Sequence, residues 1–387
     1  MNTEHLKIEF QQRFGEGKNN CALFFAPGRI NIIGEHLDYN GGFVLPCALS
    51  MGTWLVVRKR DDRLVKLASQ NFDSSIEISL NEIHEKRGNS WWNYPLGVIH
   101  EFSIVTQIDC GFEMMFGGDL PVGVGLSSSA SIEIVTAFAM NNLFQTMLTL
   151  KEIALLSRRA ENNFIGVQCG IMDQYAVALG KKDHALFLNC LTAEHEYIPA
   201  EIDDYSFIIS NTNKPRQLES SAFNERFHEC QLALKTMQRL LTVNEIAEAT
   251  PDQFEMIEHW FPDENTRKRA HHLVFENNRV KKARKALSSD DVFELATLMN
   301  ESHASLRDNY EVSCDELETI VNAARLVDGC LASRISGAGF GGCTISLIRR
   351  DARGKFCDEV KRSFQKSTGL TAEFYDVEIG NGVREYK

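Results

Sequence analysis

The first 120 residues carry their hydrophobic side chains in short runs, the pattern of β-strands. Residues 76–80, Ile-Glu-Ile-Ser-Leu, alternate with period two, as a half-buried strand does. Residues 21–25 are apolar, and this run is expected to end at Pro27 and Gly28. Residues 53–57 are rich in β-forming side chains and are expected to end at a charged turn. Residues 112–116 predict one more strand before a glycine-rich turn.

Helical spacing replaces this pattern further along. Residues 129–144 place Ala, Ile, Val and Met at helical intervals, and Thr149 with Glu152 forms a capping box that predicts a helix running towards Asn163. Further strands are predicted at residues 185–188, 206–209, 344–348 and 372–379, and further helices within residues 222–241 and 263–306. A second capping box, Ser313 with Glu316, predicts the start of one more helix, which ends near Asp328.

Strands and helices in separate runs indicate an α+β fold. The 387 residues suggest two domains, at roughly 100–200 residues each. We expect an N-terminal domain of residues 1–190 and a C-terminal domain of residues 191–387. Apolar residues make up 43% of the chain and charged residues 24%, which is typical of a globular enzyme and excludes disorder and fibres.

The charge balance argues against two classes of partner. Lys and Arg number 41 against 53 Asp and Glu, a net charge of −12, and an acidic surface repels nucleic acid and anionic membranes. No apolar run approaches the ~18 residues of a membrane span. Residues 1–10 mix charged and apolar side chains, so we expect no signal peptide. We expect no nucleic-acid partner and no membrane.

The ten cysteines are scattered singly, with no CxxC pair. Zinc sites and redox motifs need close pairs, and a dense disulfide framework belongs to small secreted domains. We therefore expect free thiols and a cytoplasmic location. The basic segment at residues 267–285 has its apolar residues on one helical face, so its charges are predicted to form a solvated side.

Two glycine-rich loops lead into different elements. Residues 337–342 match GxGxxG but lead into a strand, whereas a dinucleotide fingerprint must open a helix. Their glycines still predict a close approach to a ligand or another loop. Residues 121–130, Pro-Val-Gly-Val-Gly-Leu-Ser-Ser-Ser-Ala, run into a helix, so glycine N–H groups, serine hydroxyls and the helix N-terminus predict a cradle for nucleotide phosphates. The alternative is a plain Ser-capped helix.

Two further segments carry ionisable residues. Residues 166–174 place Asp173 among apolar side chains, and an isolated buried carboxylate is costly unless it is paired or functional. Residues 27–42 bring Arg, Glu, His and Asp into a short glycine-bounded stretch, a set of donors and acceptors that suits a polyhydroxylated ligand. The alternative is a salt-bridged turn.

In order along the chain, these segments resemble the three signature motifs of the GHMP small-molecule kinases. Residues 28–46 are most similar to the galactose-phosphorylating branch of that family, and the likeness extends through residues 91–94, 169–174 and 309–313 to essentially the whole chain. The resemblance implies two α+β domains with the active site in the cleft between them. It implies transfer of the ATP γ-phosphoryl group to the anomeric hydroxyl of α-D-galactose, with Mg²⁺ as cofactor.

The resemblance also implies a role for individual residues. Asp173 would act as base or orient the anomeric hydroxyl, and Arg29 would stabilise charge on the transferring phosphoryl group. The expected sugar-binding residues are Glu35, His36, Asp38, Gly170, Asp173 and Phe223. The expected ATP-binding residues are Trp91, near the adenine, and Gly123, Gly125, Leu126, Ser127, Ser128, Ser129 and Ala130, around the phosphates. Ser129 and Glu161 would hold Mg²⁺.

One departure from the family pattern matters. The family's usual Ser-x-Tyr-Asn-x-Arg segment here has Phe223 in place of Tyr, so a hydroxyl that would contact the sugar is missing. A neutral hydrogen bond is worth about 0.5–1.5 kcal/mol, which predicts a several-fold loss of affinity or a sugar altered at that position. The alternatives are therefore a kinase for N-acetylgalactosamine, a uronic acid or another hexose, and a non-catalytic galactose sensor. The complete serine loop and Asp173 favour an active enzyme.

Overall fold

The structure is a computed structural model that describes residues 3–121, 124–214 and 219–386. The helices are α1 (Thr3–Phe14), α2 (Asn93–Val105), α3 (Ser128–Phe144), α4 (Leu150–Arg159), α5 (Met172–Leu179), α6 (Glu219–Gln238), α7 (Pro251–Ile257), α8 (Glu264–Ser288), α9 (Val292–Asp308), α10 (Asp315–Arg325) and α11 (Arg353–Thr368). The strands are β1 (Ala22–Asn31), β2 (Phe43–Val44), β3 (Pro46–Lys59), β4 (Leu64–Ser69), β5 (Ile76–Ser79), β6 (Phe112–Gly118), β7 (His184–Asn189), β8 (His195–Pro199), β9 (Tyr205–Asn211), β10 (Cys330–Ser336), β11 (Cys343–Arg349), β12 (Glu373–Asp376) and β13 (Arg384–Tyr386).

The first sheet has the strand order β13-β1-β3-β6-β4-β5, with β4 parallel to β6 and the other neighbours antiparallel. Helix α3 packs on β1 and β3. Leu55 and Val57 belong to the main core, while Val56 points to the opposite face, where it packs with Leu6 and Phe10 of α1. This alternation along β3 follows from the two-residue period of a strand and explains why both faces of the sheet are covered.

Strand β1 is longer than predicted. The Pro-Gly pair does not end it, because the register with β3 shifts between Pro27 and Arg29, and a bulge tolerates a proline that cannot donate a ladder hydrogen bond. Gly28 is needed there, since a Cβ at this position would lie 2.8 Å from the carbonyl oxygen of Leu126. The extension carries Arg29 to the beginning of α3.

The second sheet, β10-β11-β9-β12, is antiparallel, with α10 and α11 packed on one another and against it. The helical pattern of residues 263–306 is interrupted, giving α8 and α9. Between them Asp290 has a φ of +55°, and Asp291 caps α9 by accepting a hydrogen bond from the N–H of Glu294 at 3.0 Å. A cap of this kind starts a new helix within one periodic segment.

The two predicted capping boxes had different outcomes. The first is confirmed: Thr149 Oγ1 accepts from the N–H of Glu152 at 3.3 Å, and the Thr149 N–H donates to Glu152 at 2.8 Å. The second is wrong. Helix α10 begins at Asp315, so the cap position is Cys314, one residue after Ser313, and Cys314 makes no side-chain cap; the hydroxyl of Ser313 donates to Glu318.

The prediction that the charges of residues 267–285 form a solvated side is wrong for two residues. Arg269 is 1% exposed and pairs with Glu229 and Glu311. Arg279 is also buried and pairs with Glu276. These guanidiniums turn inward because carboxylates of the same helix and its neighbours compensate them.

Strand pairing joins the two halves of the chain. Strand β8 pairs with β7, and β13, at the other end of the sequence, pairs with β1 in the first sheet. The division into residues 1–190 and 191–387 stays a prediction. All ten cysteines lie in the described ranges and are free thiols. No helix among the described residues is both long and apolar enough to cross a membrane.

Candidate active site

A cavity of about 620 Å³ opens where the segments singled out from the sequence meet. We call them the first loop (residues 27–42), the serine loop (residues 121–130), the Asp173 loop (residues 166–174) and the glycine loop (residues 337–342). All four contribute lining residues. The fold has therefore brought together segments that lie up to about three hundred residues apart in the sequence.

Arg29 and Asp173 form a bidentate ion pair at the centre of this cavity. Arg29 Nε donates to Asp173 Oδ1 at 2.7 Å, and Nη2 donates to Oδ2 at 2.8 Å. The hydroxyl of Ser127 also donates to Oδ2. Arg29 Nη1 donates to the carbonyl oxygen of Gly125 at 2.6 Å. The Asp173 side chain remains 29% exposed, so a carboxylate held in one orientation faces the cavity.

Two further carboxylates, Glu161 and Glu133, lie near the pair of Arg29 and Asp173, and few positive charges compensate them. Glu161 follows α4 in a π-helical turn (Ala160–Ile165), and one of its oxygens accepts from Gln174 Nε2 at 2.7 Å. Burial, and then the negative charge of Asp173, raises the pKa of Glu161 to about 7. Glu133 is fully buried, and burial together with Glu161 raises its pKa well above the usual value.

This arrangement suits a divalent cation bound together with a nucleotide. Ser129 hydrogen-bonds to Glu161, so a hydroxyl and a carboxylate, the oxygen ligands that Mg²⁺ accepts, are adjacent. The described residues contain no group of three His, Cys, Asp or Glu side chains able to hold a metal ion. Mg²⁺ in kinases is usually held by one or two carboxylates plus substrate phosphates, which matches a set this small.

Asp38 is placed by a close backbone contact. A Cβ at Gly170 would overlap the Asp38 carboxylate, so only glycine lets the Asp173 loop pass. Burial, and then the negative charge of Asp173, raises the pKa of Asp38 to about 7, although Arg29 acts in the opposite direction. Near neutral pH this side chain can therefore donate as well as accept a hydrogen bond.

Aromatic rings form the wall beside the first loop. The ring of His36 stacks on Tyr310 with centroids 4.3 Å apart, and its Nδ1 is 2.7 Å from the hydroxyl of Tyr39. Tyr39 is also hydrogen-bonded to Tyr310 at 2.9 Å and meets Phe223 edge-on at 5.3 Å. His36 Nε2 is buried without a hydrogen-bond partner. A buried polar atom of this kind is an attachment point for a hydroxylated ligand.

Glu35 lines the cavity but is already engaged by the protein. It is 1% exposed and forms an ion pair with Arg334 of β10, which is fully buried. Its other oxygen accepts from the N–H of Gly337 at 3.2 Å. Burial raises the pKa of Glu35 against the opposing charge of Arg334. The glycine loop therefore contacts this carboxylate through the Gly337 N–H, while its closest backbone approach is at Gly339, where a Cβ would overlap the carbonyl oxygen of Val312.

The opposite end of the cavity is an aromatic slot. Trp91 stacks on Phe72 with centroids 6.0 Å apart and meets Phe116 edge-on at 5.6 Å. The indole N–H donates to the carbonyl oxygen of Ser74 at 3.2 Å, which fixes the orientation of the ring. A flat aromatic ligand can stack in such a slot.

Comparison with known proteins places this site in a family. Residues 8–59 match the galactokinase galactose-binding signature, residues 93–181 match the GHMP kinases N terminal domain and residues 283–366 match the GHMP kinases C terminal. The galactokinase of Fusobacterium nucleatum is 46% identical over 99% of this chain and all of its own length, and that of Bacillus subtilis is 43% identical over 99% of both. The chain belongs to the galactokinase family of GHMP kinases.

Solved structures agree with this assignment to the galactokinases. A crystal structure of Lactococcus lactis galactokinase complexed with galactose matches with a TM-score of 0.97 and 41% identity, over 99% of this chain and 100% of that one. A mevalonate kinase at 18% identity, with a TM-score of 0.68 over 94% of this chain, shares the fold. The α+β prediction and the resemblance to GHMP kinases are both confirmed.

The residues predicted for a galactokinase site mostly line the cavity. Thirteen of them do so: Arg29, Glu35, His36, Asp38, Trp91, Gly125, Ser127, Ser128, Ser129, Glu161, Gly170, Asp173 and Phe223. Leu126 and Ala130 are instead buried in the core and are absent from the lining. Gly123 lies outside the described residues.

Sequence reasoning missed two contributors. Arg334, the ion-pair partner of Glu35, lies on β10, for which the sequence analysis made no prediction, and no local signal marks its contact with a residue 299 positions away. Tyr39 lies within the first loop but received no role, although a tyrosine beside His36 was a signal for an aromatic wall. The glycine loop was identified, but not its partner.

The raised pKa of Asp38 predicts a cost in stability. Between the ordinary carboxyl pKa near 4 and about 7, the unfolded chain loses this proton while the folded chain keeps it, so ionisation favours unfolding as the pH rises. We expect Asp38→Asn to raise the melting temperature more at pH 8 than at pH 5. Thermal unfolding at both values measures this, with Asp61→Asn, at a 73% exposed carboxylate, as the control for charge. An equal shift at the two pH values would contradict the prediction.

Proposed function

We propose that this chain transfers the γ-phosphoryl group of ATP to the anomeric hydroxyl of α-D-galactose, giving galactose 1-phosphate and ADP. Galactokinases of 43–46% identity over nearly the full chain support this activity, as does the likeness to a galactokinase crystallised with galactose. The observation that carries it is the bidentate pair of Arg29 and Asp173, held between the serine loop and the first loop.

The sugar occupies the part of the cavity bounded by the first loop, the Asp173 loop and α6. Asp38 and His36 offer hydrogen bonds to its hydroxyl groups, and the unpartnered Nε2 of His36 supports this role. Phe223 and Tyr39 form an apolar wall against the ring. Arg334 and the Gly337 N–H each bind one oxygen of Glu35, so this carboxylate offers the sugar only its remaining acceptor positions.

ATP enters from the other end, with its base in the slot at Trp91. The phosphates lie against the serine loop and the first turn of α3, where backbone N–H groups and the hydroxyls of Ser128 and Ser129 face the cavity. Ser129 and Glu161 are the residues that would hold Mg²⁺. When bound, Mg²⁺ neutralises charge on the phosphates during transfer.

Asp173 faces the hydroxyl that is phosphorylated. The bidentate contact with Arg29 and the hydrogen bond from Ser127 fix its carboxylate, which can accept the proton of that hydroxyl or orient it. Arg29 also lies where negative charge develops on the transferring group, so it stabilises the transition state. Positioning and electrostatics contribute most of the rate in phosphoryl transfer.

The direct test is ADP release with Mg·ATP and a panel of sugars: galactose, N-acetylgalactosamine, 2-deoxygalactose, glucose, arabinose and galacturonate. We expect a clear preference for galactose. Strong turnover of another sugar would establish the alternative sugar-1-kinase. Binding of ATP and galactose with no ADP release would establish the non-catalytic sensor, which the presence of Ser127–Ser129 and Asp173 disfavours.

Phe223→Tyr restores the hydroxyl that this chain lacks. We expect it to lower the KM for galactose several-fold, since one neutral hydrogen bond is worth about 0.5–1.5 kcal/mol. Steady-state kinetics measures this, with the KM for ATP as internal reference. Phe227→Tyr is the matched control, because it adds a hydroxyl one turn further along α6 at a ring that does not line the cavity. An unchanged KM for galactose would place Phe223 away from the sugar.

The predicted cytoplasmic location is part of this proposal. All ten cysteines are free thiols, and Cys47, Cys230 and Cys343 are buried. Free thiols persist in a reducing compartment, whereas an oxidising one favours disulfides. The thiols of this chain therefore support a cytoplasmic location.

A further inference from the structure

We infer that Glu276 and Asn277 of α8 are positioning residues for the sugar: they hold the backbone at residues 34 and 43 so that the first loop keeps its sugar-binding conformation. Both residues lie in the second half of the chain and neither lines the cavity. The inference rests on the function proposed above, because it assigns to α8 a part in recognising the same sugar.

Glu276 reaches the first loop from inside the protein. Its Oε1 accepts from the N–H of Gly34 at 3.1 Å and from the hydroxyl of Ser302 at 2.6 Å, while Oε2 accepts from Arg279 Nε at 2.7 Å. The side chain is fully buried. Burial acts to raise the pKa of Glu276, but Arg279, His272 and Arg334 together with the hydrogen bond from Ser302 outweigh it, so the pKa falls to about 2 and the carboxylate is ionised.

Asn277 holds the other end of the same stretch. Its Oδ1 accepts from the N–H of Phe43 at 2.8 Å, and its Nδ2 donates to the carbonyl oxygen of Ala247 at 2.6 Å. Two adjacent residues of one helix therefore fix the backbone N–H groups of Gly34 and Phe43. Because one helix binds both ends of residues 34–43, α8 fixes the positions of the two ends relative to each other.

The stretch between these points needs such support. Gly34 has a φ of +112° and His36 a φ of +66°, a conformation that disfavours a residue with a side chain. His36 and Asp38, which we propose as sugar ligands, come shortly after Gly34. If the loop relaxes, these side chains leave their positions, and the sugar must then use binding energy to restore them.

A purely structural role for α8 makes a different prediction. If Glu276 only joined the two halves of the protein, its loss would reduce the fraction of folded enzyme, which lowers the maximal rate but leaves both KM values unchanged. Loss of loop positioning raises the KM for galactose alone. The two roles are therefore separated by a comparison of KM for galactose with KM for ATP.

The experiment uses Glu276→Gln, which keeps the size of the side chain. The amide has one acceptor oxygen and no charge, so it cannot keep both the hydrogen bond from the Gly34 N–H and the ion pair with Arg279. If the loop then holds its binding conformation about a tenth of the time, the KM for galactose rises roughly tenfold. We expect the KM for ATP to stay the same. Amide hydrogen exchange of residues 34–43 is expected to accelerate without sugar and to slow again with saturating galactose.

Glu113→Gln is the matched control, because Glu113 is 3% exposed and is paired with two arginines, Arg58 and Arg60, on the first sheet away from the loop. We expect it to leave the KM for galactose unchanged. Asn277→Ala is the second variant and decides the matter if Glu276→Gln does not fold; its expected effects have the same direction and smaller size.

An unchanged KM for galactose, or unchanged exchange at residues 34–43, in folded variants would overturn the inference. If the wild-type chain phosphorylates no sugar, the proposed function fails by itself. The exchange measurement, together with galactose binding by calorimetry, then still decides whether α8 holds the loop.

Discussion

Asp173→Asn is expected to lower kcat by about 10²–10⁴, the usual contribution of a positioned acid or base. The amide cannot take a proton from the sugar hydroxyl. It also loses the ionic part of the bidentate contact with Arg29, whose Nε and Nη2 lie 2.7 and 2.8 Å from the two carboxylate oxygens. The fixed orientation that phosphoryl transfer needs is thereby weakened. Steady-state and single-turnover kinetics with Mg·ATP and galactose measure the loss.

Two further measurements on Asp173→Asn locate the defect. Galactose binding by calorimetry is expected to change much less than kcat, because the other proposed sugar contacts remain. Circular dichroism checks that the variant is folded. A kcat within tenfold of the wild-type value would show that Asp173 neither accepts the proton nor sets the geometry. The proposed mechanism, which depends on Asp173, would then be wrong.

Arg334→Met is expected to have the largest effect on stability, a loss of about 3–5 kcal/mol in the free energy of unfolding. Arg334 and Glu35 are 0% and 1% exposed, and the guanidinium also donates to the carbonyl oxygen of Ile32 at 3.1 Å. Methionine fills much of the space but leaves the carboxylate of Glu35 buried without its cation. Removing one partner of a buried ion pair lowers the free energy of unfolding by far more than the intact pair contributes to it.

The pH dependence of this loss has a definite sign. Burial already raises the pKa of Glu35, and removal of Arg334 raises it further. A carboxyl group whose pKa is higher in the folded state than in the unfolded state costs stability as the pH rises, so the loss is expected to be larger at pH 8 than at pH 5. Urea unfolding at both values measures it.

Arg353→Met is the control for Arg334→Met. It breaks an ion pair with Asp376 in which both side chains are about half exposed, and such pairs contribute about 0–1 kcal/mol. The double variant Arg334→Met with Glu35→Gln is expected to recover part of the loss, because it removes the unpaired charge. Equal destabilisation by the two arginine variants would refute the role given to the buried pair.

Much of the local structure was predictable because it depends on neighbours in the sequence. The two-residue period at residues 76–80 gave a strand, and the capping box at Thr149 opened a helix. The Ser313 box failed because the helix begins one residue later than the box requires, with Cys314 at the cap position, and the Ser313 hydroxyl donates to Glu318. Pro27 failed as a strand end because pairing with β3 supplied a bulge.

The candidate site likewise has a part that the sequence predicts and a part that only the tertiary structure shows. Residue types and order alone identified the serine loop, the Asp173 loop and the first loop, since glycine freedom, hydroxyl donors and a carboxylate among apolar residues can be recognised in a short segment. They excluded a dinucleotide fingerprint, because residues 337–342 lead into β11. The family resemblance implied roles for Arg29 and Asp173, but no spacing in the sequence indicated that the two side chains form an ion pair.

Only the tertiary structure decided which groups meet. Arg334 reaches Glu35 across 299 positions, and Glu276 reaches Gly34 across 242. These contacts depend on how α8 and β10 pack against the first loop, and a buried charge is stable only if packing supplies its partner. The sequence by itself determined the family and the reactive residue types; the packing of distant elements determined the pairing, burial and orientation that make them a site.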